Sequence, residues 1–124
     1  MRVLVVDDNK GFRAFMREVL KFNDCDVVEA SDGFTALKLI SEQLFDAVFL
    51  DIKMPRLNGL EVLKRVIVDN PALPIFLMSA YNDIELPDSK AYPNVYILFK
   101  PFELESLNFH IEKLVCNQRA SLGV

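Results

Sequence analysis

The sequence predicts an α/β domain built on a five-stranded, doubly wound parallel sheet. Three observations carry that expectation. Short runs that are apolar on consecutive residues alternate with amphipathic helical stripes, five β/α alternations fit within 124 residues, and several of the runs end on a charged or hydroxyl residue. Strands apolar on consecutive residues are buried on both faces. Helices must then cover both sides of the sheet, joined by right-handed crossovers.

The elements follow in order. Val3–Val6 forms the first strand, and Phe12, Phe15, Met16, Val19 and Leu20 fall on one helical face behind it. Val27–Val28 marks a second strand, followed by a stripe of Phe34, Leu37, Ile40 and Leu44. Ala47–Leu50 is the third strand, with Leu60, Leu63, Val66 and Ile67 as its helix. Ile75–Met78 is the fourth. The stretch "YNDIELPDSKAYPNVY" after it holds Pro87 and Pro93, offers only Ile84 and Leu86 as aliphatic anchors, and predicts a short, distorted or absent fourth helix. Val95–Phe99 is the fifth strand, and Leu104, Leu107, Ile111, Leu114 and Val115 form the last helical stripe. We expect one domain over 1–118, with 119–124 a polar tail or the start of a linker.

Composition narrows the function classes. A hydrophobic share of 52% with 26% charge describes an ordinary soluble protein that needs no disulfides to build its core. No apolar stretch approaches the ~18 residues that span a bilayer, and Met1-Arg2 leads into "VLVV" without a signal-peptide layout, so a cytoplasmic location and no membrane partner are expected. The net charge of −4, without clustered Lys and Arg, argues against nucleic-acid binding. Cys25 and Cys116 are expected to be reduced thiols, and His110 has no Cys or second His at ligand spacing.

In an open doubly wound sheet, ligands bind outside the carboxyl ends of the strands. That rule gathers Asp7 and Asp8 (first strand), Asp51 (third), Ser79 (fourth) and Lys100 (fifth, before Pro101) at one mouth. Three carboxylates together repel one another and invite a hard divalent cation; oxygen donors suit Mg²⁺. With Lys100 and the Ser79 hydroxyl added, the set suits a phosphoryl group in transfer. Singly, each residue has a blander reading. Asp8 would cap the following helix, Ser79 would be a turn residue, and Lys100 a solvated charge.

Together these segments resemble the receiver domain of two-component response regulators. The resemblance rests on "LVVDDN", "DAVFLDIKMPRLNG", "IFLMSA" and "LFKPF", and covers residues 2 to about 116. It implies the flavodoxin-like (βα)5 receiver fold and a phosphorylation-dependent signalling switch in a phosphorelay. Asp51 would accept the phosphoryl group from a phosphohistidine on a sensor histidine kinase or phosphotransfer protein, or from a small phosphodonor. Asp7, Asp8, Asp51 and the backbone carbonyl of Lys53 would hold Mg²⁺ or Mn²⁺. Ser79 and Lys100 would bind phosphoryl oxygens, the Lys100–Pro101 bond would be cis, and Pro55 with the Asn58-Gly59 turn would shape the loop. Autodephosphorylation would be slow, and the chain would be a monomer or a phosphorylation-dependent dimer acting on an output domain or downstream protein.

The sequence also departs from the family. The switch position three residues before the Lys, usually aromatic, is Ile97; strand alternation points the nearby Tyr96 to the opposite face. Activation would then pass through a backbone shift, changed order of the fourth helix or a different output face. Lys53 and Tyr81, each two residues beyond a site residue, are candidates for shielding the acyl phosphate from water. Two rival readings remain: a degenerate receiver acting as a phosphorylation-independent scaffold, and a haloacid-dehalogenase-type phosphatase, which needs an Asp where Lys53 stands.

Overall fold

Five parallel strands form one sheet in the order β2-β1-β3-β4-β5. They are β1 (Arg2–Val6), β2 (Asp26–Ala30), β3 (Ala47–Asp51), β4 (Ile75–Ala80) and β5 (Val95–Lys100), with helices α1 (Lys10–Phe22), α2 (Gly33–Glu42), α3 (Gly59–Asp69) and α4 (Leu104–Ser121). The structure is a computed structural model, and it describes residues 1–80, 92–101 and 103–121, with side chains through 116. The expected fourth helical segment and Tyr81 lie outside the described residues. Helix α4 continues to Ser121, so residues 119–121, read from sequence as tail, are helical.

The doubly wound sheet explains the consecutive apolar runs. Leu4, Val6, Val48, Leu50, Ile75 and Leu77 point to one face, where α2 and α3 supply Ala36, Val62, Leu63 and Val66. Val3, Val5, Ala47, Phe49, Phe76 and Met78 point to the other, against Met16, Val19 and Leu20 of α1 and Leu107 and Ile111 of α4. All five residues of β3 are buried. Full burial of each Leu, Ile or Phe contributes about 1.5–3 kcal/mol, so the three central strands dominate the core.

The edge strands differ. Only Ala30 of β2 is fully buried, and the polar Asp26 and Glu29 that hid its length in the sequence fit its open edge. On β5, Ile97 pairs with Leu77 and Tyr96 with Phe76. The Tyr96 ring stacks on Phe76 at 5.1 Å, and Phe76 on Phe49 at 4.8 Å. Tyr96 thus lies on the α1/α4 side, opposite Ile97, as strand alternation predicts.

Candidate phosphorylation site

The mouth is built by where the strands stop. Asp51 is the last residue of β3 and pairs in register with Met78, whose successor is Ser79; Lys100 is the last residue of β5. Asp7 follows β1 directly and is anchored by its N–H, which donates to Ala30 O at 3.1 Å. The three carboxylates of Asp7, Asp8 and Asp51 converge, each offering an oxygen within 4.8 Å of the others. Asp7 and Asp51 are buried and Asp8 is exposed.

Lys100 neutralises part of this charge. Its Nζ lies 2.7 Å from Asp7 Oδ2 and 3.5 Å from Asp51 Oδ1. The second oxygen of Asp7 accepts from Asn9 N at 2.9 Å, so Asp7 is well satisfied. Asp51 is less so. Burial, and then the nearby Asp7, push its carboxyl from 3.8 up to about 6, against the opposing pull of Lys100. One ammonium cannot balance three carboxylates, and all three offer hard oxygen donors. The set therefore fits a divalent cation of the Mg²⁺ type.

Helix α1 does not use Asp8 as its cap. Asn9 is the N-cap, its Oδ1 accepting from Phe12 N at 2.9 Å, which corrects the capping expectation for Asp8 and leaves that carboxylate at the mouth. Asn58 plays the same part for α3, accepting from Glu61 N at 3.0 Å; the expected Asn58-Gly59 turn is a helix start. Gly59 sits hard against β3, where a Cβ would come 2.2 Å from Asp51 O and 2.8 Å from Ile52 Cα. Only a residue without a side chain fits there.

Between Asp51 and α3 the loop leaves Lys53 and Pro55 exposed and buries Met54 and Leu57. It reverses at Arg56, which has φ 68° and is bracketed by a hydrogen bond from Leu57 N to Pro55 O of 2.9 Å. Ser79 is buried and its Oγ donates to Ala80 O at 3.0 Å. The Lys100–Pro101 bond is cis.

Sequence reasoning missed three residues that shape the mouth. Asn9 holds Asp7, the Arg13 guanidinium donates to Asp7 O at 2.7 Å, and the Phe12 ring lies under Lys100 Nζ, 4.1 Å from its centroid. The helical stripe showed Phe12 only as core, because a ring and an ammonium far apart in sequence leave no local pattern. Cys25 and Cys116 are free thiols, buried and exposed respectively. No helix among the described residues is long and apolar enough to cross a membrane.

Comparison with known proteins agrees with this geometry. The family model described as "Response regulator receiver domain" matches residues 3–112. Sporulation initiation phosphotransferase F of Bacillus subtilis is 29% identical over 113 residues, spanning 90% of this chain and 91% of that protein. Response regulator MprA of Mycobacterium leprae is 38% identical over 93% of this chain, but the match spans only 51% of MprA. Among solved structures, the receiver domain of Francisella response regulator 1452 superposes with a TM-score of 0.82 at 30% identity, covering 94% of this chain and 98% of that one. Vibrio cholerae chemotaxis protein CheY4 gives 0.78 at 28% identity, covering 91% and 97%. The chain belongs to the response regulator receiver domain family, whose members serve two-component signalling as phosphorylation-dependent switches.

Proposed function

We propose that Asp51 is the phosphoacceptor of this receiver. The observation that carries the reading is the convergence of Asp7, Asp8 and Asp51 within 4.8 Å, with Lys100 bridging two of them. An Asp51 oxygen attacks the phosphorus of a phosphohistidine; the new O–P bond forms as the P–N bond breaks, and the electron pair leaves with the imidazole, which takes up a proton. Asp7, Asp8, Asp51 and the Lys53 carbonyl would hold Mg²⁺ or Mn²⁺. When bound, the cation neutralises charge on the carboxylates and the phosphoryl oxygens.

This chain's own groups do the rest. Lys100, already at the mouth, pairs with one phosphoryl oxygen, and the Ser79 hydroxyl gives up its backbone acceptor to bond another. The added charge of about −2 draws both inward, and the shift of Ser79 and Lys100 at the ends of β4 and β5 biases a two-state equilibrium of the domain. Ile97 replaces the usual aromatic, so that bias travels through backbone rather than a ring flip. The phosphodonor is a histidine kinase or phosphotransfer protein, and the output belongs to a partner or a further domain. The 1–118 unit is the receiver.

By their sequence positions, two residues beyond Asp51 and Ser79, Lys53 and Tyr81 are the candidates for setting the lifetime of the acyl phosphate. Replacing both with Ala shortens its lifetime; an unchanged lifetime removes them from that role. For the main reading, the protein is incubated with acetyl phosphate and Mg²⁺ and weighed intact. Gain of one phosphoryl group in the wild type and none in Asp51→Asn supports the switch. No gain with either acetyl phosphate or a phosphorylated kinase favours a scaffold.

A further inference from the structure

Among the described residues Lys100 touches three partners at the mouth, two of them charged. Its Nζ lies 2.7 Å from Asp7 Oδ2, 3.5 Å from Asp51 Oδ1 and 4.1 Å from the centroid of the Phe12 ring. Both carboxylates are candidate metal ligands and Asp51 is the proposed phosphoacceptor, so each has a competing use. The ring does not. Its attraction for the ammonium comes from the quadrupole of its face and persists whatever the carboxylates are bound to.

Phe12 is fixed to do this. It stands in the first turn of α1, where its own N–H is held by the Asn9 cap at 2.9 Å. Its ring is partly buried against the α1/α4 core cluster and leans on Phe15 at 6.1 Å between centroids. Lys100, by contrast, hangs on a flexible four-carbon stem whose side chain keeps 27% exposure. A rigid ring under a mobile ammonium restricts where the charge can go.

We propose that Phe12 is a positioning residue for phosphoryl transfer: its ring face keeps the Lys100 ammonium at the reacting carboxylate while Asp7 and Asp51 are engaged elsewhere. The inference rests on the phosphoacceptor reading of Asp51. Weakening the ring face slows phosphorylation, because the charge that meets the incoming phosphoryl group is less often in place.

The test substitutes Phe12 in the full chain with Leu, with Tyr, and with a series of ring-fluorinated phenylalanines that lose quadrupole at nearly constant size. Two quantities are read: the rate of phosphorylation by acetyl phosphate with Mg²⁺, and the ring-current shift of the Lys100 ε-methylene protons in the metal-free protein. We expect Phe12→Leu to slow phosphorylation about two- to five-fold and abolish the upfield shift, Phe12→Tyr to retain both, and the logarithm of the rate to fall steadily along the fluorinated series. A packing role alone gives a flat series. A flat series, a Leu variant as fast as the wild type, or no ring-current shift in the wild type overturns the proposal. Absence of phosphorylation in the wild type refutes the Asp51 reading instead, and the ring-current shift still decides whether the contact exists.

Discussion

The ammonium of Lys100 sits 2.7 Å from the buried carboxylate of Asp7, tying the end of β5 to the end of β1 across the mouth of the sheet. Asp7 is 1% exposed, so its charge depends on this partner. Removing Lys100 alone leaves an uncompensated buried anion. Lys100→Met should destabilise the metal-free protein by about 2–4 kcal/mol, the lower part of that range reflecting the partial exposure of the lysine. Adding Asp7→Asn should recover much of the loss. Urea unfolding of the two single variants and the double variant measures the coupling; strict additivity would show that the pair contributes nothing.

Asp51 pulls the other way. Its carboxyl is raised from 3.8 to about 6 by burial and by Asp7, so the folded state binds the proton more tightly than the unfolded chain does. Stability from this group is therefore greatest below about pH 4 and is lost as pH rises through about 6, costing up to about 3 kcal/mol above it. Asp51→Asn should stabilise the metal-free protein by about 1–3 kcal/mol near pH 7.5, and the gain should shrink near pH 4. Mg²⁺ at ten times its dissociation constant should stabilise the wild type by about 1.4 kcal/mol and the variant by less. Chemical denaturation at the two pH values, with and without Mg²⁺, reads all three effects.

Gly59 is the point where α3 meets the end of β3. A methyl group there would lie 2.2 Å from Asp51 O, a backbone atom that cannot step aside. Gly59→Ala should destabilise the fold by about 2–3 kcal/mol, and phosphorylation should fall with it because the strain bears on Asp51 itself. Thermal melts and the acetyl phosphate assay on the same preparation check both parts.

A stabilising substitution lies far from the site. Helix α1 ends in a Schellman arrangement, with Cys25 N donating to Leu20 O and Asp24 N to Lys21 O, both at 3.0 Å. Asp24 occupies the left-handed position at φ 60°, where glycine is at ease and a carboxylate also meets the negative end of the helix. Asp24→Gly should raise stability by about 1 kcal/mol without altering phosphorylation. A melting temperature at or below that of the wild type would contradict this.

How much was legible in the sequence varies with the physics of each element. Central strands β1, β3 and β4 announce themselves because both faces are buried, so their residues are apolar on consecutive positions up to the polar groups at the mouth. The mouth was legible for the same reason: once the strands are placed, the residues that end them must share one edge. Edge strand β2 was shortened to Val27–Val28 because Asp26 and Glu29 belong to a surface that tolerates charge. Caps were harder. Asp8 and Asn9 are both good N-caps by type, and only the backbone decides that Asn9 takes the position. The turn at Asp24 uses a non-glycine residue and so carries no glycine signal. The contact between Phe12 and Lys100 depends on the finished fold, which no local pattern encodes.

The most direct test locates the phosphoryl group. After phosphorylation by a phosphohistidine donor with Mg²⁺, borohydride reduces an aspartyl phosphate to homoserine, and peptide mass spectrometry then finds the converted residue. Conversion at Asp51, none at Asp7 or Asp8, and none anywhere in Asp51→Asn is the expected result. Conversion at another residue of the wild type, or equal conversion in Asp51→Asn, would contradict the account.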